Sequence, residues 1–184
     1  KIMREKAKTV EGCRDAVDIV GTGGDLANTF NISTTSSFVI AGCGAKVAKH
    51  GNRSVSSKSG AADVLESLGV KISSSPEQAK NMIDNICISF LFAQNYHGSM
   101  RYVGTARREL GIRTVFNILG PLANPANTDY ILLGVYDRSL LELMAGVLIN
   151  LGIKRAMLIY GNDKLDEISI SDTTSVCEIM NGKI

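Results

Sequence analysis

The feature that most restricts the fold is punctuation by glycine: short apolar runs stop at glycine-containing loops and alternate with stretches of helical spacing. Ala16 to Val20 is such a run, and it ends in Gly21-Thr22-Gly23-Gly24-Asp25. A run this short, bounded by turn residues, reads as a buried strand rather than a helix. Strands alternating with helices are the signature of βα units around a mostly parallel sheet. The sequence therefore predicts an α/β fold, with a mostly parallel central sheet flanked by helices.

The same reading continues along the chain. Ser33 is placed to cap a helix through Phe38, Val39 and Ile40 that closes at Gly42 or Gly44. Lys46 to Ala48 reads as a brief strand leading into a Lys49-His50-Gly51-Asn52-Arg53 loop, and a helix over Ala61–Leu68 stops at Gly69. Ser75-Pro76-Glu77-Gln78 combines an N-cap, a proline at the first helical position and a glutamine able to close a capping box. Further strands are predicted at Ile86–Ala93, Tyr130–Tyr136, Arg155–Tyr160 and Val176–Met180, the last entering a hairpin turn at Asn181-Gly182. Helices are predicted at Met100–Leu110 and Ser139–Leu151, and Gly120-Pro121 and Asn124-Pro125 punctuate a loop.

Composition excludes several function classes. The 184 residues are 45% apolar and 21% charged, the balance of an ordinary globular domain. No apolar run is long enough to span a bilayer, and the charged stretch from Lys1 to Gly12 lacks a secretory pattern. A net charge of +2 is too small to argue for a nucleic-acid or membrane surface. Cys13, Cys43, Cys87 and Cys177 are scattered without a Cys-x-x-Cys pair, which argues against a zinc site or disulfide framework and suits a reducing cytoplasm.

Four blocks carry groups that suit phosphate or a hard cation. Glycines after the first strand let backbone N–H groups approach an anion, though a tight turn would use them equally. The spacing matches neither a P-loop nor a dinucleotide fingerprint. Asn31-Ile32-Ser33-Thr34 lies at a helix start, where the dipole and unpaired N–H groups favour phosphate; an ordinary capped helix is the plainer alternative. Lys49 to Arg53, followed by Ser54, Ser56, Ser57 and Ser59, gathers cations, an amide and hydroxyls after a strand, where open α/β sheets place ligands. Asp166-Glu167 is a carboxylate pair in a predicted sheet-end loop, suited to Mg²⁺ carrying substrate phosphates or simply to solvent. Of Arg107 and Arg108 at most one can face a site, and His97 precedes their helix. Together these blocks point to a phosphate-rich ligand with Mg²⁺.

In order and spacing, Gly21–Asp25 (GTGGD), Asn31–Thr34 (NIST), Lys49–Arg53 (KHGNR), Phe116–Pro125 (FNILGPLANP) and Leu165–Ser169 (LDEIS) closely resemble the anthranilate phosphoribosyltransferase family. The resemblance runs from about Val17 onward. It implies a phosphoribosyltransferase and nucleoside-phosphorylase-like α/β domain over residues 16–184, preceded over residues 1–15 by a linker or the tail of a small helical domain, most of it absent. Residues 97–118 would contact that helical domain, and the full-length protein would be a cytoplasmic homodimer. By the same resemblance Gly21, Gly24, Asp25, Thr29, Asn31, Ile32, Ser33 and Thr34 would hold the pyrophosphate and ribose of phosphoribosyl pyrophosphate. Lys49, His50, Gly51, Asn52, Arg53, Ser54, Val55, Ser56, Ser57 and Ala61 would complete the donor site. Gly21, Asn52, His97 and Arg107 would line the anthranilate path, with Arg107 pairing with the carboxylate. Ser33, Asp166 and Glu167 would ligate Mg²⁺. The family commonly has a small hydroxyl residue at Ala61 and His-Pro-Ala-Met-Lys at His97–Arg101, so acceptor specificity is where this chain would differ.

The implied reaction joins the amine of anthranilate to the anomeric carbon as pyrophosphate leaves, a step of tryptophan biosynthesis that needs no covalent intermediate. Two alternatives remain at this stage. A pyrimidine-nucleoside-phosphorylase-like enzyme would share the fold but have no use for the acidic pair. A non-catalytic nucleic-acid-binding relative would need a broad basic face.

Overall fold

The computed structural model of the chain describes residues 2–25, 27, 29–53, 60–110 and 114–184, and for 105–108 the backbone alone. In chain order its elements are α1 (Ile2–Glu5), β1 (Val17–Gly21), α2 (Ile32–Gly42), β2 (Val47–Gly51), α3 (Ala61–Ser67), α4 (Pro76–Ile86), β3 (Ile88–Phe92) and α5 (Ala93–Tyr96). A 3-10 turn at Gly98–Met100 leads into α6 (Arg101–Leu110), followed by α7 (Phe116–Leu119), β4 (Tyr130–Gly134), α8 (Leu140–Asn150), β5 (Arg155–Gly161) and β6 (Thr174–Met180). No helix among the described residues is long and apolar enough to cross a membrane.

One six-stranded sheet runs β3-β2-β1-β4-β5-β6, parallel throughout except for the antiparallel β5–β6 pair. From β1 the chain winds outward to β2 and β3, then returns to place β4 on the other side of β1. That reversal puts a crevice at the carboxyl ends of β1 and β4, where sheets of this kind receive ligands. Packing holds the frame. On α8, Leu141, Met144, Ala145 and Leu148 follow helical spacing and are buried with Leu133, Leu158 and Ile179 of the strands. Each of the large side chains contributes about 1.5–3 kcal/mol by leaving water. A second cluster joins Ala79 and Ile83 of α4 to Ala48, Leu91 and Tyr96, and draws in Val10, Cys13 and Ala16 from the segment before β1. That segment is tied down further where Lys8 N–H donates to Tyr96 and Val10 N–H to Pro125, both at 3.0 Å.

Local chemistry fixes several boundaries. Ser75 Oγ accepts the Gln78 N–H at 3.2 Å and Gln78 Oε1 accepts the Ser75 N–H at 2.9 Å, the predicted capping box of α4. Asn181 and Gly182 take positive φ values of 52° and 75° as β6 turns into its hairpin. Other boundaries differ from the sequence reading. Ser33 is not the cap of α2; Asn31 holds that position, and Ser33 lies in the first turn with its side chain committed elsewhere. The second strand is Val47–Gly51, so Lys49, His50 and Gly51 belong to the strand and not to the loop after it. β3 begins at Ile88, because Ile86 still closes α4 and Cys87 turns left-handed at φ 61°.

Candidate functional site

The loop between β5 and β6 builds the site. Asp166 lies over the carboxyl ends of β1 and β4, and its Oδ2 accepts the Gly23 N–H at 2.6 Å. Two glycines make room: a Cβ on Gly21 would lie 2.5 Å from Asp166 Oδ2, and one on Gly134 would collide with the Asp166 carbonyl oxygen. Glu167 Oε1 accepts the Ser33 N–H at 3.2 Å and the Ser33 hydroxyl at 2.5 Å, in the first turn of α2. The Gly21 loop, the start of α2 and the acidic pair therefore share one small volume. Asp166 is buried and Glu167 half-buried, which removes the reading of this pair as solvated surface charge.

Lys49 approaches from β2. It is buried, and its Nζ donates to the Ile19 carbonyl at 2.6 Å. Burial lowers its pKa, while Asp18 and Glu167 oppose that and favour the ammonium form. The acids are pushed the other way. Burial first, then the negative charge of Asp25, lifts the Asp166 carboxyl to about 7, against the Gly23 N–H that favours ionisation. Burial also raises Glu167, with the Ser33 hydroxyl and Lys49 pulling it back. Three carboxyl groups thus crowd a buried corner faced by backbone N–H groups. A divalent cation would relieve that repulsion, and the oxygen donors are of the hard type that Mg²⁺ takes. No set of three or more His, Cys, Asp or Glu forms a ready-made cage among the described residues. Mg²⁺ held by one or two carboxylates takes the rest of its shell from ligand phosphates and water.

Two histidines lie buried nearby. The His50 and His97 rings meet edge-on with centroids 5.1 Å apart, and His50 Nδ1 is 3.2 Å from the Gly120 carbonyl. Burial, then the neighbouring His97, takes the His50 pKa down to about 3, and burial lowers His97 as well. Both are neutral at physiological pH. The Met3 and Ala123 backbones approach His97 without completing a hydrogen bond to either ring nitrogen. The pair offers a polarisable wall, not a charged acid.

The structure gathers Gly21, Asp25, Ser33, Lys49, Asp166 and Glu167, with Gly24 in the same loop and Asn31, Ile32 and Thr34 around the start of α2. His50 and Gly51 end β2, Ala61 opens α3, and Thr29 and Asn52 are exposed. Arg53 pairs with Asp63 at 3.0 Å and Glu66 at 2.9 Å, and lies over the Phe92 ring. Ser54, Val55, Ser56 and Ser57 lie outside the described residues, as does the Arg107 side chain. Sequence reasoning passed over Asp18, Asn124 and Gly134. Asp18 carries a signal in hindsight, since a carboxylate inside the apolar run Val17–Val20 must find partners or pay for burial.

Residues 13–184 match the family model described as "Glycosyl transferase family, a/b domain". The whole chain is 58% identical over 183 residues to an anthranilate phosphoribosyltransferase of Endomicrobium trichonymphae, covering 54% of it. It is 56% identical over 183 residues to one from Ruminiclostridium cellulolyticum, again covering 54%. Among solved structures, the anthranilate phosphoribosyltransferase of Thermus thermophilus superimposes with a TM-score of 0.85 at 42% identity, over 95% of this chain and 55% of that one. The Saccharomyces cerevisiae enzyme in complex with PRPP and Mg gives a TM-score of 0.89 at 34% identity, over 96% of this chain and 50% of that one. The chain spans about half the length of the relatives it matches.

Proposed function

Because the chain belongs to the glycosyl transferase family with an a/b domain, we propose that the full-length protein transfers the phosphoribosyl group of phosphoribosyl pyrophosphate to the amine of anthranilate. The product would be N-(5-phosphoribosyl)anthranilate, with pyrophosphate released, a step of tryptophan biosynthesis. The observation that carries this reading is the meeting of Asp166 and Glu167 with the N–H groups of Gly23 and Ser33. The names of the relatives support it, as does the yeast enzyme that holds PRPP and Mg. The nucleoside-phosphorylase alternative leaves the paired carboxylates without a task.

In this reading the loop from Gly21 to Asp25, with Thr29 and the Asn31–Thr34 turn, cradles the pyrophosphate through backbone N–H groups and hydroxyls. Lys49 and the stretch to Ser57 hold the phosphates, with Ala61 at the edge. Ser33, Asp166 and Glu167 would hold Mg²⁺, which when bound neutralises charge on the departing pyrophosphate. Asn52, His97 and Arg107 would line the acceptor path, Arg107 pairing with the anthranilate carboxylate. The aromatic amine carries a free lone pair at neutral pH, so no general base is required, in keeping with two neutral imidazoles. What these residues supply is orientation and preformed charge stabilisation. The same reading makes the full-length protein a cytoplasmic homodimer, a setting suited to four unpaired cysteines.

The test is the fluorescence of anthranilate on mixing the full-length protein with phosphoribosyl pyrophosphate and Mg²⁺. Fluorescence should fall with stoichiometric pyrophosphate release, and should hold steady without Mg²⁺. Cleavage of a pyrimidine nucleoside by inorganic phosphate, with anthranilate untouched, would overturn the assignment.

A further inference from the structure

The seam between β1 and β2 is irregular in a way that bears on the site above it. β1 keeps register with β4 from Val17–Tyr130 to Gly21–Gly134, and β2 keeps register with β3 from Val47–Ile88 to Gly51–Phe92. Between β1 and β2 the only register pair among the described residues is Val17–Val47, where Val17 N–H donates to Lys46 at 2.8 Å. A parallel ladder continued from that pair would send Ile19 N–H to the Ala48 carbonyl and His50 N–H to the Ile19 carbonyl. Side chains take those groups instead. Asn124 Nδ2 donates to the Ala48 carbonyl at 2.8 Å, Asp18 Oδ1 accepts the His50 N–H at 3.1 Å, and Lys49 Nζ donates to the Ile19 carbonyl at 2.6 Å.

These are costly substitutions. Asp18 and Lys49 are both buried, and Asp18 Oδ2 completes no hydrogen bond of its own. A regular ladder would satisfy the same backbone groups without burying a charge. The gain is geometric. Side chains bridge β1 and β2 where a main-chain ladder would otherwise join them, just before the Gly21 loop begins and where Lys49 stands. The carboxylate also supplies the opposite charge that a buried ammonium needs.

From this we infer that Asp18 is a positioning residue for the anion site, acting through Lys49: it ties down the irregular seam at His50 and, as the opposite charge beneath the site, fixes the Lys49 ammonium for the donor's phosphates. The inference rests on the donor reading above. It adds a residue beneath the site that touches no substrate.

A double-mutant cycle on the full-length protein tests it, with calorimetric binding of inorganic pyrophosphate in Mg²⁺ as the readout. Asp18→Asn keeps the shape and an acceptor for His50 N–H but removes the charge. Lys49→Met removes the group through which Asp18 acts, and Lys49→Gln serves if that variant does not fold. Asp18→Asn should weaken pyrophosphate binding roughly tenfold, the scale of one charge-assisted contact. In the Lys49 background the same change should move affinity less than about twofold, because an effect transmitted only through the Lys49 charge disappears with that charge. Equal effects in both backgrounds would mean that Asp18 merely supports the fold. An Asp18→Asn protein that binds like wild type would also overturn the proposal while leaving the donor reading intact. Wild-type protein that holds no pyrophosphate would overturn both.

Discussion

On the proposed reading, Asp166 and Glu167 occupy the donors that phosphate oxygens would take. Gly23 N–H and the Ser33 N–H and hydroxyl are the donors an anion would use at a glycine loop and a helix start, and carboxylate oxygens already accept from them. On the proposed reading these carboxylates would compete with the anion for the same donors and also repel it. A pyrophosphate can take the N–H groups only as the carboxylates give them up, and a cation favours that exchange by drawing carboxylates and phosphate to itself. Asp166→Asn should thus bind inorganic pyrophosphate roughly tenfold more tightly than wild type in EDTA, since one buried like charge near the anion is gone. With Mg²⁺ added the order should reverse. Titration calorimetry in the two buffers reads both effects, and an unchanged metal-free affinity would show that Asp166 does not compete for the anion's place.

At the level of elements, the site depends on the β5–β6 loop lying flat on the ends of β1 and β4, and Gly134 is the contact that decides it. A methyl group there meets the backbone carbonyl of Asp166, which cannot swing aside as a side-chain tip can. Gly134→Ala should lift the loop, costing about 1–3 kcal/mol of stability as an overpacked contact and most of the pyrophosphate affinity. A thermal melt and a binding titration check this, and wild-type affinity in the folded variant would show that the loop is not seated by Gly134. Much of this architecture was legible beforehand. The βα alternation, the α4 capping box and the β6 hairpin turn are local signals, written within a few residues of where they act. What stayed hidden was set by distant partners. Ser33 looked like a cap because its neighbours fit one, but Glu167, 134 residues away in sequence, takes its hydroxyl. Arg53 pairs with Asp63 and Glu66 of α3, partners that its own loop does not announce. Lys49 and His50 looked like loop residues because glycine and asparagine follow, whereas pairing with β3 carries the strand on to Gly51.

Across the whole molecule, charge is treated oppositely at the two ends of the sheet. At the carboxyl end the buried Asp166 and half-buried Glu167 crowd together and their pKa values rise, a local cost of the kind functional sites carry and the rest of a fold must offset. At the amino end Asp129, which precedes β4, gathers the starts of neighbouring strands. Its carboxylate accepts from Arg14 Nε at 2.8 Å and pairs with Lys154 at 2.6 Å. Its main chain receives Lys154 N–H at 3.0 Å and Arg155 N–H at 3.1 Å, and its own N–H donates to Arg14 at 2.8 Å. Burial alone would raise this carboxyl's pKa, but Arg14 and Lys154 outweigh burial and hold it below the ordinary range. A folded-state pKa below the unfolded one means stability that is complete above the unfolded value, near 3.9 for aspartate, and is lost as pH falls through the folded value. Asp129→Asn should therefore be less stable than wild type by about 1–3 kcal/mol at neutral pH, the scale of a hydrogen-bonded charge. The gap should narrow steadily below about pH 4, where wild type protonates too. Urea melts from neutral pH downward measure it. A gap that stays constant into strong acid would mean that the Asp129 charge contributes nothing, and that the amino end is held by its backbone hydrogen bonds alone.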